Sequence, residues 1–202
     1  MPVVRSIDQR QFGVARIWVD DADPVELPLE SLLEHNLQMG QQLDYDRWNT
    51  IQFEGRSRIA VQRALGFLAK RQRTVKALRA HLSADFTEEE SAHAINRITE
   101  LGYADDRSWA KAYLTRQRSH GRSRSMLTRE LRAEGISTED LEIVLASHDD
   151  RSAAVEAVRK RSAALTKLDA DVRKRRLYAY LQRRGFDPEM ISYAISIVND
   201  QN

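Results

Sequence analysis

The chain has 202 residues, 42% hydrophobic and 31% charged, with no cysteine and only 8 Gly and 4 Pro. That composition excludes disulfides, thiolate nucleophiles and cysteine-based zinc sites, and leaves few points at which a helix must break. The net charge of +2 divides unevenly: residues 1–55 hold 4 Lys+Arg against 10 Asp+Glu, and residues 56–202 hold 28 against 20. An acidic N-terminal part thus precedes a basic body, which suits a polyanion or an acidic protein surface as partner. No run of about 18 apolar residues occurs. The opening MPVVRSIDQRQ lacks the apolar stretch of a secretory signal. A soluble cytoplasmic protein with no membrane association is expected.

The first elements are β-rich. GVARIWVDD carries Val14, Ile17, Trp18 and Val19, and ADPVELPLE carries Val25, Leu27 and Leu29 on one parity. The turn-forming Asp20–Pro24 stretch between them predicts a hairpin. LESLLEHNL reads as a short helix ending near Asn36, a residue that tolerates left-handed geometry. Asp44 is placed to cap a helix from Tyr45 that turns Trp48, Ile51 and Phe53 inward. This predicts a small α/β domain over residues 1–55.

From residue 56 the chain becomes helical and repeats. Segments beginning at Leu78, Leu127 and Leu177 align at spacings of 49 and 50. Each has a second leucine four later (Leu82, Leu131, Leu181), then Phe86, Ile136 or Phe186. A capping residue follows (Thr87, Ser137, Asp187), with glutamate two further on. Gly135 and Gly185 suit left-handed helix ends; Asp85 replaces glycine in the first copy, predicting a differently built turn. Thr87-x-x-Glu90 and Ser137-x-x-Asp140 resemble capping boxes. A further helix precedes each pair: IAVQRALGFLAKR, SWAKAYLTRQ and SAAVEAVRKRSAAL. The unit is three helices copied three times, a length suited to helical arrays. Between the first two copies, TELGYADDRSWA reads as a joint. Leu101 is expected to close the core seam, Gly102 to end a helix, Tyr103 to plug the junction and Trp109 to be the next large core residue.

Basic residues gather on the second helix of each copy and the turn before it. The candidate contacts are Lys70, Arg71, Arg73 and Lys76 in the first copy. In the second they are Arg116, Arg118, Arg122, Arg124, Arg129 and Arg132, and in the third Arg173, Arg175, Arg176, Arg183 and Arg184. Arginine far outnumbers lysine, which favours forked contacts to phosphate or carboxylate. In RQRSHGRSRS, Ser123 or Ser125 can cap a helix flanked by arginines, a candidate anion site.

No catalytic set emerges. The five histidines form no HExxH pattern, and neither GxxxxGK[ST] nor GxGxxG occurs. Asp105/Asp106 and Asp149/Asp150 stand where new copies begin. Capping and the helix dipole explain them better than a bound Mg²⁺ does. No metal, no cofactor and no enzymatic activity are expected.

These residues resemble the RecX family, the bacterial regulators of the RecA recombinase. ALGFLAKRQRTVKALRAHL is similar to the family's first helical pair. RITELGYADDRSWAKAYLTRQRSHG is similar to its Leu-Gly-Tyr-x-Asp-Asp-x-x-aromatic-Ala signature, with Trp109 where Phe is commoner. LTRELRAEGIS and RRLYAYLQRRGFDPEMI resemble the second and third units. VARIWVDD and LQMGQQLD are similar to the β-containing domain of longer members.

The resemblance implies a mainly α fold of tandem three-helix repeats in an elongated curved array, preceded by a small α/β N-terminal domain. The expected divisions are 1–55, 56–105, 106–150 and 151–202. It implies a monomeric regulatory protein of recombination and DNA repair that binds RecA filaments on single-stranded DNA. There it restrains ATP hydrolysis, strand exchange and co-protease activity, with DNA met directly or through RecA. The alternative is a general nucleic-acid-binding helical repeat without a RecA target. That reading needs stacking platforms, for which Trp109, Tyr113, Tyr178, Tyr180 and Tyr193 are the candidates.

Overall fold

The structure is a computed structural model that describes residues 1–10, 13–118 and 121–199, the side chains of 117 and 118 excepted. Strands β1 (Val4–Gln9), β2 (Val14–Val19) and β3 (Val25–Pro28) form an antiparallel sheet in that order. In β2, Ala15, Ile17 and Val19 are buried while their neighbours are half-exposed, the period of two that a one-sided strand requires. Ile17 sits opposite both Ile7 and Val25. The expected hairpin is β2–β3. β1 is the strand that alternation does not reveal, because its register shifts between Val4 and Ser6 and breaks the pattern. Asp20 takes a positive φ of 51° at the end of β2, and its carboxylate accepts the Val3 amide at 2.9 Å.

Helix α1 (Leu29–Glu34) is followed by Asn36 at φ 49°, as its side chain allows. Helix α2 (Tyr45–Lys70) starts at Asp44, whose carboxylate accepts the Asp46 amide at 3.0 Å. Trp48 and Ile51 join Val4, Ile17 and Leu27 in the sheet's core. Phe53 is half-buried, edge-on to His93. α2 continues unbroken across positions 55 and 56. One helix therefore closes the sheet with its first half and buries Ala60 and Ala64 in the next core with its second. Gly55 lies where helix and sheet approach: a Cβ there would stand 2.7 Å from Leu27 Cδ2. A single glycine costs a helix only about 1 kcal/mol, too little to stop it.

The remaining helices are α3 (Val75–Leu82), α4 (Glu88–Glu100), α5 (Asp106–Arg118), α6 (Arg124–Ala133), α7 (Thr138–Leu145), α8 (Asp150–Ser162), α9 (Ala170–Gln182) and α10 (Pro188–Asn199). They form triples α2–α4, α5–α7 and α8–α10, each around its own apolar cluster. The leucine pairs Leu78/Leu82, Leu127/Leu131 and Leu177/Leu181 are all buried. Each such side chain contributes roughly 1.5–3 kcal/mol of transfer free energy. By compactness, residues 1–105 make one unit and 106–202 another.

The turns after α6 and α9 are built alike. Gly135 and Gly185 take φ 90° and 83°, and the amides of Ile136 and Phe186 reach back to the carbonyls of Leu131 and Leu181 at 3.1 and 3.3 Å. In the first copy the Phe86 amide reaches the equivalent leucine carbonyl, that of Leu82, at 3.1 Å, but across four residues rather than five. Among the described residues only Asp20 and Asn36 take a positive φ apart from glycines, so Asp85 closes this turn without the left-handed step.

The joint between α4 and α5 departs from expectation. Gly102 does follow the helix end with φ 74°, but Leu101 and Tyr103 are 47% and 59% exposed. The buried residue here is Ala104, in the cluster of Ala94, Ile95 and Ile98. A small side chain fills the seam, and the tyrosine, whose hydroxyl is at home in solvent, stays outside. Trp109 is half-buried, stacked on Tyr113 at 5.3 Å against the second core.

Candidate partner-binding surface

The arginines divide by what they touch. Arg56 on α2 donates from Nε to Glu90 on α4 at 2.6 Å and from its terminal nitrogen to the Asp85 carbonyl at 2.6 Å. Glu90 is buried and also closes the capping box of α4, accepting the Thr87 amide at 2.9 Å. The second triple repeats this strap: Arg107 on α5 donates from Nε to Asp140 on α7 at 2.7 Å, and Ser137 caps α7 through the Asp140 amide at 3.1 Å. In the third triple Asp187 caps α10 through the Met190 amide at 2.7 Å, with methionine where the strap's acid stands in the other two. Sequence reasoning found the caps but not the arginine straps. The signal available was a helix-one arginine followed 33 or 34 residues later by the acid three positions after a helix cap.

Other arginines lie at the surface, although Arg124 turns its guanidinium back to the Leu145 carbonyl. Arg124, Ser125, Thr128, Arg129 and Arg132 on α6, with Asp150, line a shallow depression. Arg124, Thr128 and Arg132 recur every fourth residue, and Arg129 lies three before Arg132, so one helix face presents them together. Arg129 and Arg132 are exposed, and among the described residues no carboxylate lies within ion-pair distance of either. Arg175 and Arg176 on α9, and Arg183 at its C-terminal cap, are exposed in the same way. The end of α9 meets the start of α6, where the Ser123 amide donates to the Arg184 carbonyl at 3.0 Å. The structure therefore brings the second and third basic clusters together within residues 106–202.

Lys70, Arg71 and Lys76 are exposed around the α2–α3 turn, and Arg73 lies half-buried over the Phe67 ring at 4.9 Å. Arg116 is exposed on α5, and the side chain of Arg118 lies outside the described residues. Arg122 is paired with Glu130, which also accepts the Tyr113 hydroxyl at 2.8 Å. Arg173 is half-buried in α9, and Arg184 lies over the Tyr180 ring at 4.3 Å. Ser123, not Ser125, caps α6, through the Met126 amide at 3.2 Å.

The Asp149/Asp150 pair serves the structure. Asp149 caps α8, accepting from the Ser152 hydroxyl at 2.7 Å and from the amides of Ser152 and Arg151. The Ser152 hydroxyl, then these amides, hold its carboxyl below the usual range. Burial and then the bond to Glu130 push the Tyr113 phenol up. Among the described residues no group of three His, Asp or Glu is placed to hold a metal ion, and no helix is long and apolar enough to cross a membrane.

Successive helix triples with arginines on an outer face, preceded by a small sheet, define a helical-repeat protein. A family model described as the third three-helix domain of RecX matches residues 149–195, from the cap of α8 into α10. The regulatory protein RecX of Bacillus subtilis is 30% identical over all of this chain and 79% of its own length. That of Bacillus pumilus is 27% identical over 99% and 79%. A crystal structure of regulatory protein RecX superposes with a TM-score of 0.67 at 18% identity, covering 97% of this chain and all of that one. The chain belongs to the RecX family of regulatory proteins.

Proposed function

We propose that this chain binds RecA filaments on single-stranded DNA and restrains their ATP hydrolysis, strand exchange and co-protease activity. The observation that carries the reading is the arginine face of α6, with Arg129 and Arg132 exposed and without a carboxylate partner among the described residues, on a chain of this family. Forked cations of this kind suit acidic protein surface and DNA phosphate alike. Residues 1–55 form the N-terminal part, and 56–105, 106–150 and 151–202 act as successive modules of a curved, elongated array. Several modules meeting neighbouring filament protomers gain avidity that no single contact supplies. The protein acts in the cytoplasm as a monomer and without a cofactor.

Adding the protein to RecA on single-stranded DNA should lower ATP turnover at substoichiometric amounts. Unchanged turnover with no co-sedimentation would overturn the proposal. The alternative, sequence-tolerant nucleic-acid binding without RecA, is poorly served by its candidate stacking residues. Trp109 and Tyr113 stack on each other, Tyr180 lies beneath Arg161 and Arg184, Tyr193 beneath Arg151, and Tyr178 packs on the third core.

A further inference from the structure

Residues Gly121–Arg124 belong to the arginine–serine run, yet most of their bonds point inward. Gly121 is buried with φ 53°; a Cβ there would stand 2.5 Å from the Ala157 Cβ and 3.1 Å from the Ala153 carbonyl oxygen. Its backbone therefore rests directly on α8. The Ser123 amide donates to the Arg184 carbonyl at the end of α9. Gly185 allows that approach from the other side, since a Cβ at its φ of 83° would stand 2.6 Å from Ser123 Oγ and 2.9 Å from Met126 Cβ.

The turn between α7 and α8 grips the same segment. His148 Nε2 lies 3.1 Å from the Arg122 carbonyl oxygen and 3.1 Å from Asp150 Oδ1. Both neighbours are acceptors, so Nε2 carries the proton. Asp150 Oδ1 also accepts the Arg124 amide at 2.6 Å, and the Arg124 guanidinium reaches the Leu145 carbonyl at 2.7 Å. A helix N-terminus flanked by arginines attracts an anion. At α6 that anion is the chain's own Asp150.

These bonds tie together two helix triples whose apolar clusters are separate. Apolar contact is non-directional, whereas hydrogen bonds and close backbone approach fix an angle. We propose that Gly121–Arg124, held by His148, Asp150 and Gly185, is a clasp that locks the third triple onto the second. The arginines of α6 and α9 act as one face only while it is closed. This second half rests on the binding face proposed above; the first does not.

The cysteine-free chain accepts spin labels cleanly at Glu142→Cys on α7 and Ser192→Cys on α10. In the full chain the label-to-label distance should be narrowly distributed. Gly185→Ala and Asp150→Ala should each broaden or shift it with helicity by circular dichroism unchanged, and RecA-filament binding should weaken by about tenfold or more. Should Gly185→Ala lose helicity, Asp150→Asn, which keeps size and removes charge, gives the same readout. Distances equal to the parent's in the folded variants overturn the clasp. Broadened distances with undiminished filament binding overturn its coupling to the arginine face.

Discussion

Arg56 and Arg107 differ from Arg129 and Arg132 in direction more than in chemistry. The first pair strap the first helix of a triple to the third, against acids that also occupy capping positions. The second pair stand on the outside of α6 without a carboxylate partner among the described residues. The same side chain thus holds a repeat together in one place and is left for a partner in another. Charge counts cannot separate the two uses, because they depend on which helix face the arginine occupies.

The contrast can be broken from the strap side first. Glu90→Ala removes the acid of a strap and of a capping box at a buried site, and should cost about 3–5 kcal/mol in urea unfolding because Arg56 loses its partner. A comparable loss, about 2–5 kcal/mol, is expected for Leu131→Ala in the second core. Asp140→Ala should cost less, about 1–2 kcal/mol, since its strap is more exposed and Ser137 still caps α7. Arg97→Ala, which breaks only the exposed pair with Glu100, should change stability by less than about 0.5 kcal/mol and sharpen the distinction.

A smaller effect separates cap from surface by pH. Asp149 has a lowered carboxyl pKa in the fold, so the ionised form is the stabilising one. Its contribution is present at neutral pH and is lost as pH falls below the ordinary carboxylate range and through that lowered value. Asp149→Asn should flatten the acid limb of a stability-against-pH curve; a limb as steep as the parent's would contradict the assignment.

Much of the fold was legible because leucine spacing and caps repeat. Leu78/Leu82 and its two echoes mark the cores, and Thr87, Ser137 and Asp187 mark helix starts as expected. β1 was not legible, since a register shift hides its alternation. Tyr103 was misplaced because a periodic reading cannot tell that Ala104 fills the seam. At the candidate face the basic clusters were visible in the sequence. Which members turn inward was not: Arg122 goes to Glu130 and Arg184 to Tyr180 through contacts 8 and 4 residues apart, at distances no composition count resolves.

Charge removal on the surface of α6 separates partner binding from internal bracing. Filament co-sedimentation on RecA-coated single-stranded DNA should compare the parent chain with Arg129→Ala/Arg132→Ala and with Arg97→Ala. The double variant should fold as the parent does and bind at least roughly tenfold more weakly, while Arg97→Ala binds as the parent does. Equal binding by a folded double variant would contradict the account.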